Sequence, residues 1–380
     1  MVNPYYLLTE DQRSIQQLVR DFCEHELKPV VKECDEQSRF PMEVYQKLCE
    51  LGINGMSVPE ELGGLGLDTK TVCVIREEIS KVDPGFCIGL GSTGLAFTPV
   101  KLAGTPEQQK LFADYILDGR LAGYCLTEAA GGSDAGHPLT TARKVGGEWV
   151  INGSKCFITN GPIASVYTVF AATDKSKGSA GVTAFIVERD REGVSVGGHE
   201  DKMGIRTSET SDVIFEEVRV PADHMLGAEG EGFKLAMATL NRTRPLGASS
   251  AVGIMQACLD HAVKYVKERV VFGRPISKFQ SIQFMLADME MKTLASRQMC
   301  WYAADLVDRG IVDAEVGAST KCFISDLAQS VTTDAVQILG GYGYSRDYPV
   351  EKLMRDAKIW QIFEGTNQIQ RVTIAGALLK

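Results

Sequence analysis

The sequence predicts an α+β protein of several domains, in which an all-α region is followed by an all-β region and a second all-α region. Apolar residues recur at helical spacing from residue 9 to about 120. Short apolar runs separated by turn residues follow from Tyr124 to about Leu226, and long amphipathic stretches return from Gly232 onward. We therefore expect an N-terminal helical domain at 1–122, a middle β domain at 123–228 and a C-terminal helical domain at 229–380.

The first region opens with the sequence pattern of a helix N-terminus. Thr9 is followed three residues later by Gln12, which fits a capping box. Pro29 is expected to kink or end the helix that begins there, because proline disrupts a helix interior. Two further helices are predicted at Val44–Leu51, which stops before a glycine, and at Thr69–Val82.

The middle region has the pattern of a β domain. Its short apolar runs are rich in β-branched and aromatic residues, and Gly-Gly, Asn-Gly and Lys-Gly pairs that favour turns separate them. Regularly spaced strands without intervening helices predict a compact antiparallel β-barrel or sandwich. The runs are Trp149–Ile151, Val166–Phe170, Val182–Val187 and Val213–Phe215.

The last region contains long amphipathic stretches joined by short connections, which predicts an antiparallel helical bundle. We expect helices at 233–241, 248–270, 282–310 and 312–340, and a last helix after Thr366. No internal repeat or low-complexity segment interrupts this order.

Composition and charge describe an ordinary globular chain. Its 380 residues are 44% apolar and carry a formal net charge of −9, which argues against a nucleic-acid partner. The ten cysteines stand singly and the five histidines are far apart, so we expect neither a disulfide framework nor a metal site.

No apolar run approaches the roughly 20 residues of a membrane span, and no presequence is visible in the first residues. We expect a reducing compartment, most simply a bacterial cytoplasm; the encoded Met1 argues against a mature organellar form.

One glycine pattern in the first region invites a different interpretation. Gly89, Gly91 and Gly94 match the dinucleotide-binding pattern Gly-x-Gly-x-x-Gly. That motif requires a preceding strand and a βαβ context, whereas a helical run precedes it here and no strand-like alternation follows. We expect small residues at a close helix contact, or room for a ligand, instead of a dinucleotide loop.

A segment near the C-terminus carries a candidate catalytic carboxylate. Glu364 is preceded by Ile362 and Phe363 and followed by Gly365. Burial among apolar neighbours raises the pKa of a carboxyl group, which suits a general base near neutral pH. Gly365 permits a sharp turn, and Thr366 is a candidate N-cap for the next helix. Taken alone, the pattern fits an ordinary loop glutamate as well.

Three C-terminal runs together resemble the signature of the acyl-CoA dehydrogenases. They are Asp334–Tyr344, Pro349–Lys358 and Phe363–Arg371. In that family the glutamate of the Glu-Gly-Thr motif removes the α-proton of an acyl-CoA, which implies this role for Glu364. A minority of the family places its base at the position that Thr243 occupies here, and threonine cannot act as that base.

The segment Tyr124–Asp134 is similar to the first flavin-binding motif of the same family. The resemblance implies that Leu126 and Thr127 lie along the flavin ring and that Ser133 reaches the pyrophosphate. The family more often has Pro-Gly-Ala where this chain has Ala-Ala-Gly at 129–131. A plain surface loop would have the same glycine-rich composition.

A second motif, Lys155–Gly161, fits a strand and an Asn-Gly turn by its residues. By resemblance, Phe157 covers one face of the isoalloxazine and Thr159 bonds flavin N5. The family frequently has tryptophan at the first of these positions, so this chain keeps the stacking ring and lacks the N–H donor.

Further motifs complete the implied sites. Arg269 and Phe272 match an Arg-x-x-Phe-Gly motif that binds FAD across a subunit interface in the family. The remaining implied cofactor contacts are Gln280, Gln337, Gly340, Gly341, Thr366 and Gln368. The implied substrate contacts are Ser133, Arg244 and Gly365.

The resemblance implies an FAD-dependent enzyme with a helical domain, a β domain and a C-terminal four-helix bundle, assembled as a homotetramer. It would convert an acyl-CoA to a trans-2-enoyl-CoA and pass electrons to electron-transferring flavoprotein. An acyl-CoA oxidase, an enoyl-CoA reductase and a catalytically silent flavoprotein scaffold remain alternatives. The segment Gly89–Val100 matches the acyl-tail pocket, but its small residues leave straight, branched and alicyclic chains open.

Overall fold

Helices of the first region end at Leu117, strands occupy the chain from Leu121 to Leu226, and helices resume at Gly232, in the order that the sequence predicts. These elements belong to a computed structural model that describes residues 7–380. Met1, on which the expectation about a presequence partly depends, lies outside the described residues.

Six α-helices form the first region. The predicted capping box is confirmed, because the Thr9 hydroxyl accepts from the Gln12 N–H at 3.2 Å and the Gln12 amide accepts from the Thr9 N–H at 3.1 Å. The first helix passes into a single π-turn at 23–27 and ends before Pro29, as predicted. The helices are α1 Glu10–Phe22, α2 Val31–Gln37, α3 Met42–Glu50, α4 Thr69–Val82, α5 Pro84–Ala103 and α6 Pro106–Leu117.

Helix α5 contains the glycine pattern that resembles a dinucleotide motif, so the rejection of a dinucleotide loop is confirmed. It is also the one described helix that is long and apolar enough to cross a membrane, with a mean hydropathy of 1.3. The expectation that no run reaches that length was therefore wrong. Its best window is 67% buried inside the protein, as a core helix would be, and length and composition alone are weak evidence for a span.

The middle region is one sheet in the strand order β6-β7-β3-β2-β4-β5-β8, with β1 paired to β4. The predicted β domain is confirmed, but the sheet is mixed and not purely antiparallel. Strand β1 runs parallel to β4, and the β2–β3 hairpin lies between them in the sequence. The strands are β1 Leu121–Cys125, β2 Thr141–Val145, β3 Glu148–Thr159, β4 Ala164–Ala172, β5 Val182–Glu188, β6 Val194–His199, β7 Thr210–Pro221 and β8 Met225–Leu226.

The two faces of this sheet are both covered. On one face, side chains of the strands pack against one another. Trp149 and Phe185 belong to this cluster, and their rings meet edge to face at 5.2 Å. The opposite face, which includes Phe170, packs against the first helical region, where Phe97 stacks on Phe112 at 5.7 Å. Strands β4 and β5 are therefore buried almost continuously, because alternate side chains point to two faces that are both covered.

The C-terminal region is the predicted helical bundle, with α7 Gly232–Glu268, α8 Gln280–Asp308 and α9 Ala314–Leu339 as its long members. Helices α10 Val350–Ala357 and α11 Asn367–Leu378 pack on α9, and a short hairpin of β9 Val270–Val271 and β10 Arg274–Pro275 precedes α8. The expectation of separate helices at 233–241 and 248–270 was wrong, because α7 continues through Pro245. Packing on α4, α5 and α9 offsets the missing backbone donor.

A buried lysine connects all three regions. Lys352 of α10 donates to Asp83, at the junction of α4 and α5, at 2.5 Å and to Asp356 at 2.7 Å. Asp83 also accepts from the Thr207 hydroxyl, and Asp356 accepts from the Ile205 N–H at 2.6 Å, both in the loop between β6 and β7. The two carboxylates share the Lys352 ammonium and each accepts one further hydrogen bond, so neither is buried without a donor.

Candidate active site

A cavity of about 540 Å³ lies where the three regions meet. Helices α4, α5 and α7, the loop after β1, strand β3 and the loop before α11 form its walls. Eight residues that the sequence motifs implicate line it although they come from distant parts of the chain. They are Leu126, Thr127, Ser133, Phe157, Thr159, Arg244, Glu364 and Gly365.

Glu364 lies in a tight backbone turn at one wall. Its φ is +53°, a left-handed conformation that a residue with a side chain adopts only under strain, and Gly365 follows with a φ of +87°. A Cβ at position 365 would lie 2.6 Å from the Gln370 amide nitrogen, so the predicted need for glycine is confirmed.

Side chains from two helices hold this turn. Gln370 donates to the carbonyls of Glu364 and Gly365 at 3.2 and 2.9 Å, and Lys321 of α9 donates to the Gly365 carbonyl at 2.8 Å. The Thr366 hydroxyl accepts from the Ile369 N–H at 3.3 Å, which confirms the predicted N-cap of α11. The strained turn is thus fixed on both sides.

The Glu364 carboxyl group is buried and lacks a hydrogen-bond donor at one oxygen within residues 7–380. Its Oε2 atom is buried and has no hydrogen-bond partner among the described residues, although the residue as a whole is partly exposed. Burial raises the pKa of Glu364 above its ordinary value, while the charges of Arg76, Lys321 and Arg244 oppose that rise. A desolvated carboxylate without a competing donor is what a general base near neutral pH requires.

The sequence analysis did not identify Arg76, Lys321 or Gly247 as residues of the site. Arg76 lies in a stretch of α4 in which residues 71–80 are all buried, and the apolar run at 72–75 directly before it was the sequence signal available. Burial lowers the pKa of Lys321 to about 8, although Glu364 pulls it upward. Gly247 of α7 leaves room for the carboxyl group, and only coordinates reveal that contact.

A buried ion pair fixes the loop that follows β1. Lys155 of β3 donates to Glu128 at 2.7 Å and to the Leu126 carbonyl at 3.2 Å, and Glu128 accepts from the backbone N–H of Leu139 and Thr140. Although burial raises the pKa of Glu128, Lys155 and these hydrogen bonds hold it below its ordinary value. The loop that carries Leu126 and Thr127 therefore rests on an ionised pair.

Strand β3 presents the predicted aromatic ring to the cavity. The pairing of β3 with β7 shifts between Lys155 and Ile158, and Phe157 within this bulge has a φ of +55°. The bulge turns the Phe157 ring outward, where it is 65% exposed, while Thr159 follows on the same wall. An exposed ring held by a strained backbone is an unusual feature for a plain strand.

A second cavity, of about 570 Å³, gathers further predicted residues on the C-terminal region. Arg269, Gly340 and Gly341 line it together with Tyr342, and the Arg269 guanidinium lies over the Tyr342 ring at 5.4 Å. A surface hollow with one fixed cation and open glycine backbone suits an anionic ligand.

The other predicted cofactor contacts line neither cavity. Phe272 is at the tip of the β9–β10 hairpin and is 94% exposed. Gln280, Gln337 and Gln368 are exposed, and Thr366 caps α11. Thr366 and Gln368 are adjacent in the chain to Gly365 and Ile369, which line the cavity that contains Glu364, but neither lines it.

Comparison with known proteins gives consistent matches over the whole chain. The acyl-CoA dehydrogenase N-terminal, middle and C-terminal domain models match residues 9–120, 123–218 and 230–379. A short-chain specific acyl-CoA dehydrogenase of Megasphaera elsdenii is 46% identical over 98% of this chain and 99% of its own length.

Solved structures agree with that match. The structure of butyryl-CoA dehydrogenase from Megasphaera elsdenii has a TM-score of 0.96 and 45% identity, and the match covers 99% of this chain and 100% of that one. A chain in a structure described as the electron transferring flavoprotein of Acidaminococcus fermentans has a TM-score of 0.96 and 47% identity, with 99% of both chains covered. The chain therefore belongs to the acyl-CoA dehydrogenase family of oxidoreductases.

Proposed function

We propose that this enzyme is an FAD-dependent acyl-CoA dehydrogenase in which Glu364 removes the α-proton of the thioester. The observation that carries the assignment is the buried, unpartnered Oε2 of Glu364 on the wall of a cavity shared with the flavin-binding motifs. The product is the trans-2-enoyl-CoA. Short-chain and butyryl-CoA dehydrogenases among the relatives support this reaction class.

Glu364 contributes more than its carboxylate. No described backbone hydrogen bond uses its N–H, so this donor is free to bind the thioester carbonyl as enolate charge develops there. The apolar side chains of Leu126, Leu246 and Phe363 line the same cavity and exclude water from the reacting atoms. A raised pKa then allows the same carboxyl group to hold the proton that it takes.

The residues of both cavities fit FAD. Thr127 and Ser133 offer hydroxyls beside the exposed Phe157 ring in the first cavity, and Arg269 offers a cation in the second. When bound, FAD supplies the acceptor for the β-hydrogen as hydride. Leu126 and Thr159 complete the proposed ring site, with Gln280, Gln337, Gly340, Gly341, Thr366 and Gln368 as the further proposed contacts.

Separation of the two cavities supports a homotetramer in which a neighbouring subunit completes each FAD site. Arg269 and the exposed Phe272 would then contact the cofactor of the neighbour. Electron-transferring flavoprotein is the proposed electron acceptor, supported by the relative described under that name. The bacterial relatives support a bacterial cytoplasm as the proposed location.

We also propose the domain limits 1–122, 123–228 and 229–380. They are supported by the end of α6 at Leu117, the start of β1 at Leu121, the end of β8 at Leu226 and the start of α7 at Gly232. Each limit thus lies at a change from one class of secondary structure to the other.

Glu364→Gln tests the proposed base, because it keeps the shape of the side chain and removes its basicity. We expect the variant to retain FAD and bind acyl-CoA, while anaerobic flavin reduction slows by about 10²–10⁴-fold, the range of a positioned general base. Reduction at the wild-type rate would overturn the assignment. Steady hydrogen peroxide formation by the wild type in air would favour the oxidase alternative.

A double variant tests whether the geometry of the cavity can accept a base from α7. Thr243 lines the same cavity as Glu364, so Glu364→Gly with Thr243→Glu moves the carboxylate to the facing wall. We expect partial recovery of flavin reduction relative to Glu364→Gly alone. Equal rates for the two variants would show that position 243 does not reach the α-carbon.

A further inference from the structure

Arg76 is a buried cation on the wall of the active-site cavity that contains Glu364. It is 6% exposed, and its Nε donates to the Ser250 hydroxyl at 3.2 Å. Within residues 7–380 it forms no ion pair, since the adjacent Glu77 and Glu78 pair with Arg297 and Arg20 instead. The Cys87 thiol also lies within reach of the guanidinium. The two terminal nitrogens have no oxygen acceptor among the described residues, and neither is among the fully enclosed unpaired atoms there. They therefore face the cavity.

Two neighbours fix the orientation of this guanidinium. On one side Ser250 of α7 binds Nε. On the other, the guanidinium lies against Gly91 of α5, where a Cβ would come within 2.5 Å of Nη1 and 2.7 Å of Cζ and Nη2. The absence of a side chain at position 91 thus makes the space that the guanidinium occupies, and its outer edge is presented to the cavity.

The charges around the cavity leave an excess of positive charge beside the reacting centre. Arg76, Arg244 and Lys321 act on the single carboxylate of Glu364, whose pKa burial raises and these cations lower, Arg76 most strongly. Arg244 donates to the Asn241 amide at 2.6 Å, and Lys321 donates to Asn367 at 2.9 Å, so both have acceptors within the protein. Arg244 also lines the cavity but binds Asn241 through one terminal nitrogen, whereas neither terminal nitrogen of Arg76 has an oxygen acceptor among the described residues.

Binding of an uncharged acyl chain beside the Arg76 guanidinium would be unfavourable in free energy. A methyl-terminated chain would displace water from the guanidinium and offer no acceptor in return, and a buried polar group without a partner is costly. A carboxylate accepts two parallel hydrogen bonds from the edge of a guanidinium and neutralises its charge. The site therefore fits an acyl chain that ends in an anionic group a few bonds from the thioester.

We propose that Arg76 binds a second carboxylate on the acyl chain, so that the substrate is the CoA monothioester of a short dicarboxylic acid. This inference rests on the proposed function, because it assigns the acyl group that Glu364 deprotonates. Arg76 then orients the chain from its far end while the Glu364 turn holds the thioester end.

Paired thioesters test the proposal with the FAD-loaded enzyme. Succinyl-, glutaryl- and adipoyl-CoA are compared with butanoyl-, pentanoyl- and hexanoyl-CoA by anaerobic flavin reduction, and kcat/KM is measured for each. We expect the wild type to favour one carboxylated thioester over its uncharged partner. Arg76→Met should lower that ratio by about 10²-fold, the loss expected for hydrogen bonds between charged groups, and Arg76→Lys should keep part of it.

Two further variants separate the carboxylate site from general effects on the cavity. Gly91→Ala keeps the arginine but occupies its space, so the same ratio should fall. Arg242→Met removes a partly exposed cation elsewhere on the cavity wall, and it should leave the ratio unchanged even if both rates fall. The flavin content and the ratio of kcat/KM for carboxylated and uncharged thioesters are measured on the same preparation. Partial unfolding of a variant is therefore not mistaken for a loss of specificity.

A wild type that prefers the uncharged thioesters, or a ratio that Arg76→Met leaves unchanged, would overturn the inference. Flavin reduction by pentanoyl-CoA without any by the carboxylated thioesters would reject the dicarboxylic substrate and leave the proposed dehydrogenase function intact. If no acyl-CoA of either class reduces the flavin, the proposed function itself fails.

Discussion

The Glu364 carboxyl group lies directly over Gly247 of α7, where a Cβ would come within 2.7 Å of Oε2 and 3.3 Å of Cδ. The indole N–H of Trp360 donates to the Gly247 carbonyl at 2.8 Å and so fixes this part of α7 against the segment that leads to Glu364. The position of the proposed base is therefore set by a glycine more than a hundred residues away in the chain.

Gly247→Ala should displace the carboxylate without removing it. Alanine is favoured over glycine inside a helix, so we expect the variant to fold and to retain FAD. Flavin reduction should slow by about 10²-fold, the effect of a misplacement of about 1 Å. Stopped-flow absorbance at the flavin band measures this. Gly376→Ala, in α11 where nothing lies within 4 Å of the added Cβ, is the matched control, and equal effects of the two substitutions would refute the contact.

The rate of flavin reduction should rise with pH as Glu364 loses its proton. Burial raises its pKa, so the midpoint of this limb should lie above the ordinary value of 4.5. Lys321 lowers the Glu364 pKa, and Lys321→Met should therefore move the midpoint to higher pH. Lys358→Met, at an exposed lysine that bonds Gln361, should leave it in place. A downward shift in Lys321→Met would contradict this electrostatic account.

Lys155→Met should destabilise the protein and loosen its hold on FAD. Glu128 would keep its burial and lose its ammonium partner, which costs about 3–5 kcal/mol for a buried pair. Denaturant unfolding and flavin content after gel filtration measure the two effects. Lys110→Met breaks an exposed pair with Asp114 and should cost less than about 1 kcal/mol. Similar losses in both variants would show that the buried pair has no special role.

Phe272→Ala tests the proposed oligomer. A ring that is 94% exposed on a hairpin tip costs an isolated chain almost nothing to remove, but its loss from a subunit contact weakens assembly. We expect a smaller particle by light scattering and a lower FAD content. Met203→Ala, at another exposed apolar residue of the middle region, is the control. A wild-type monomer that retains full FAD would exclude the tetramer.

Local motifs predicted one half of the site well, for a physical reason. Leu126, Thr127, Phe157 and Thr159 stand in short segments whose glycines and strand pattern mark them in the sequence, and Glu364 is marked by its own turn. The structure brings these residues to one cavity. Motifs of this kind specify their own local backbone geometry, so their residues can be identified from the sequence before the fold is known.

The other half of the site depends on contacts between helices. Arg76 and Lys321 are charged residues in predicted helices, and helical spacing indicates that a face is buried without showing which residues it contacts. Pro245 was equally misleading, because proline marks a helix end only when neighbouring packing does not offset its missing donor. In α7 that packing comes from helices distant in the chain.

The network around Lys352 has a consequence for how the three regions can exist. Removal of any one region would take at least one hydrogen-bond partner from Asp83, Asp356 or Lys352, all three of which are buried. We therefore expect the three domains to unfold as one cooperative unit, with a single transition on heating. A chimaera that takes one region from a relative would keep this network only if Asp83, Asp356 and Lys352 were all retained. The domain boundaries are therefore not neutral crossover points.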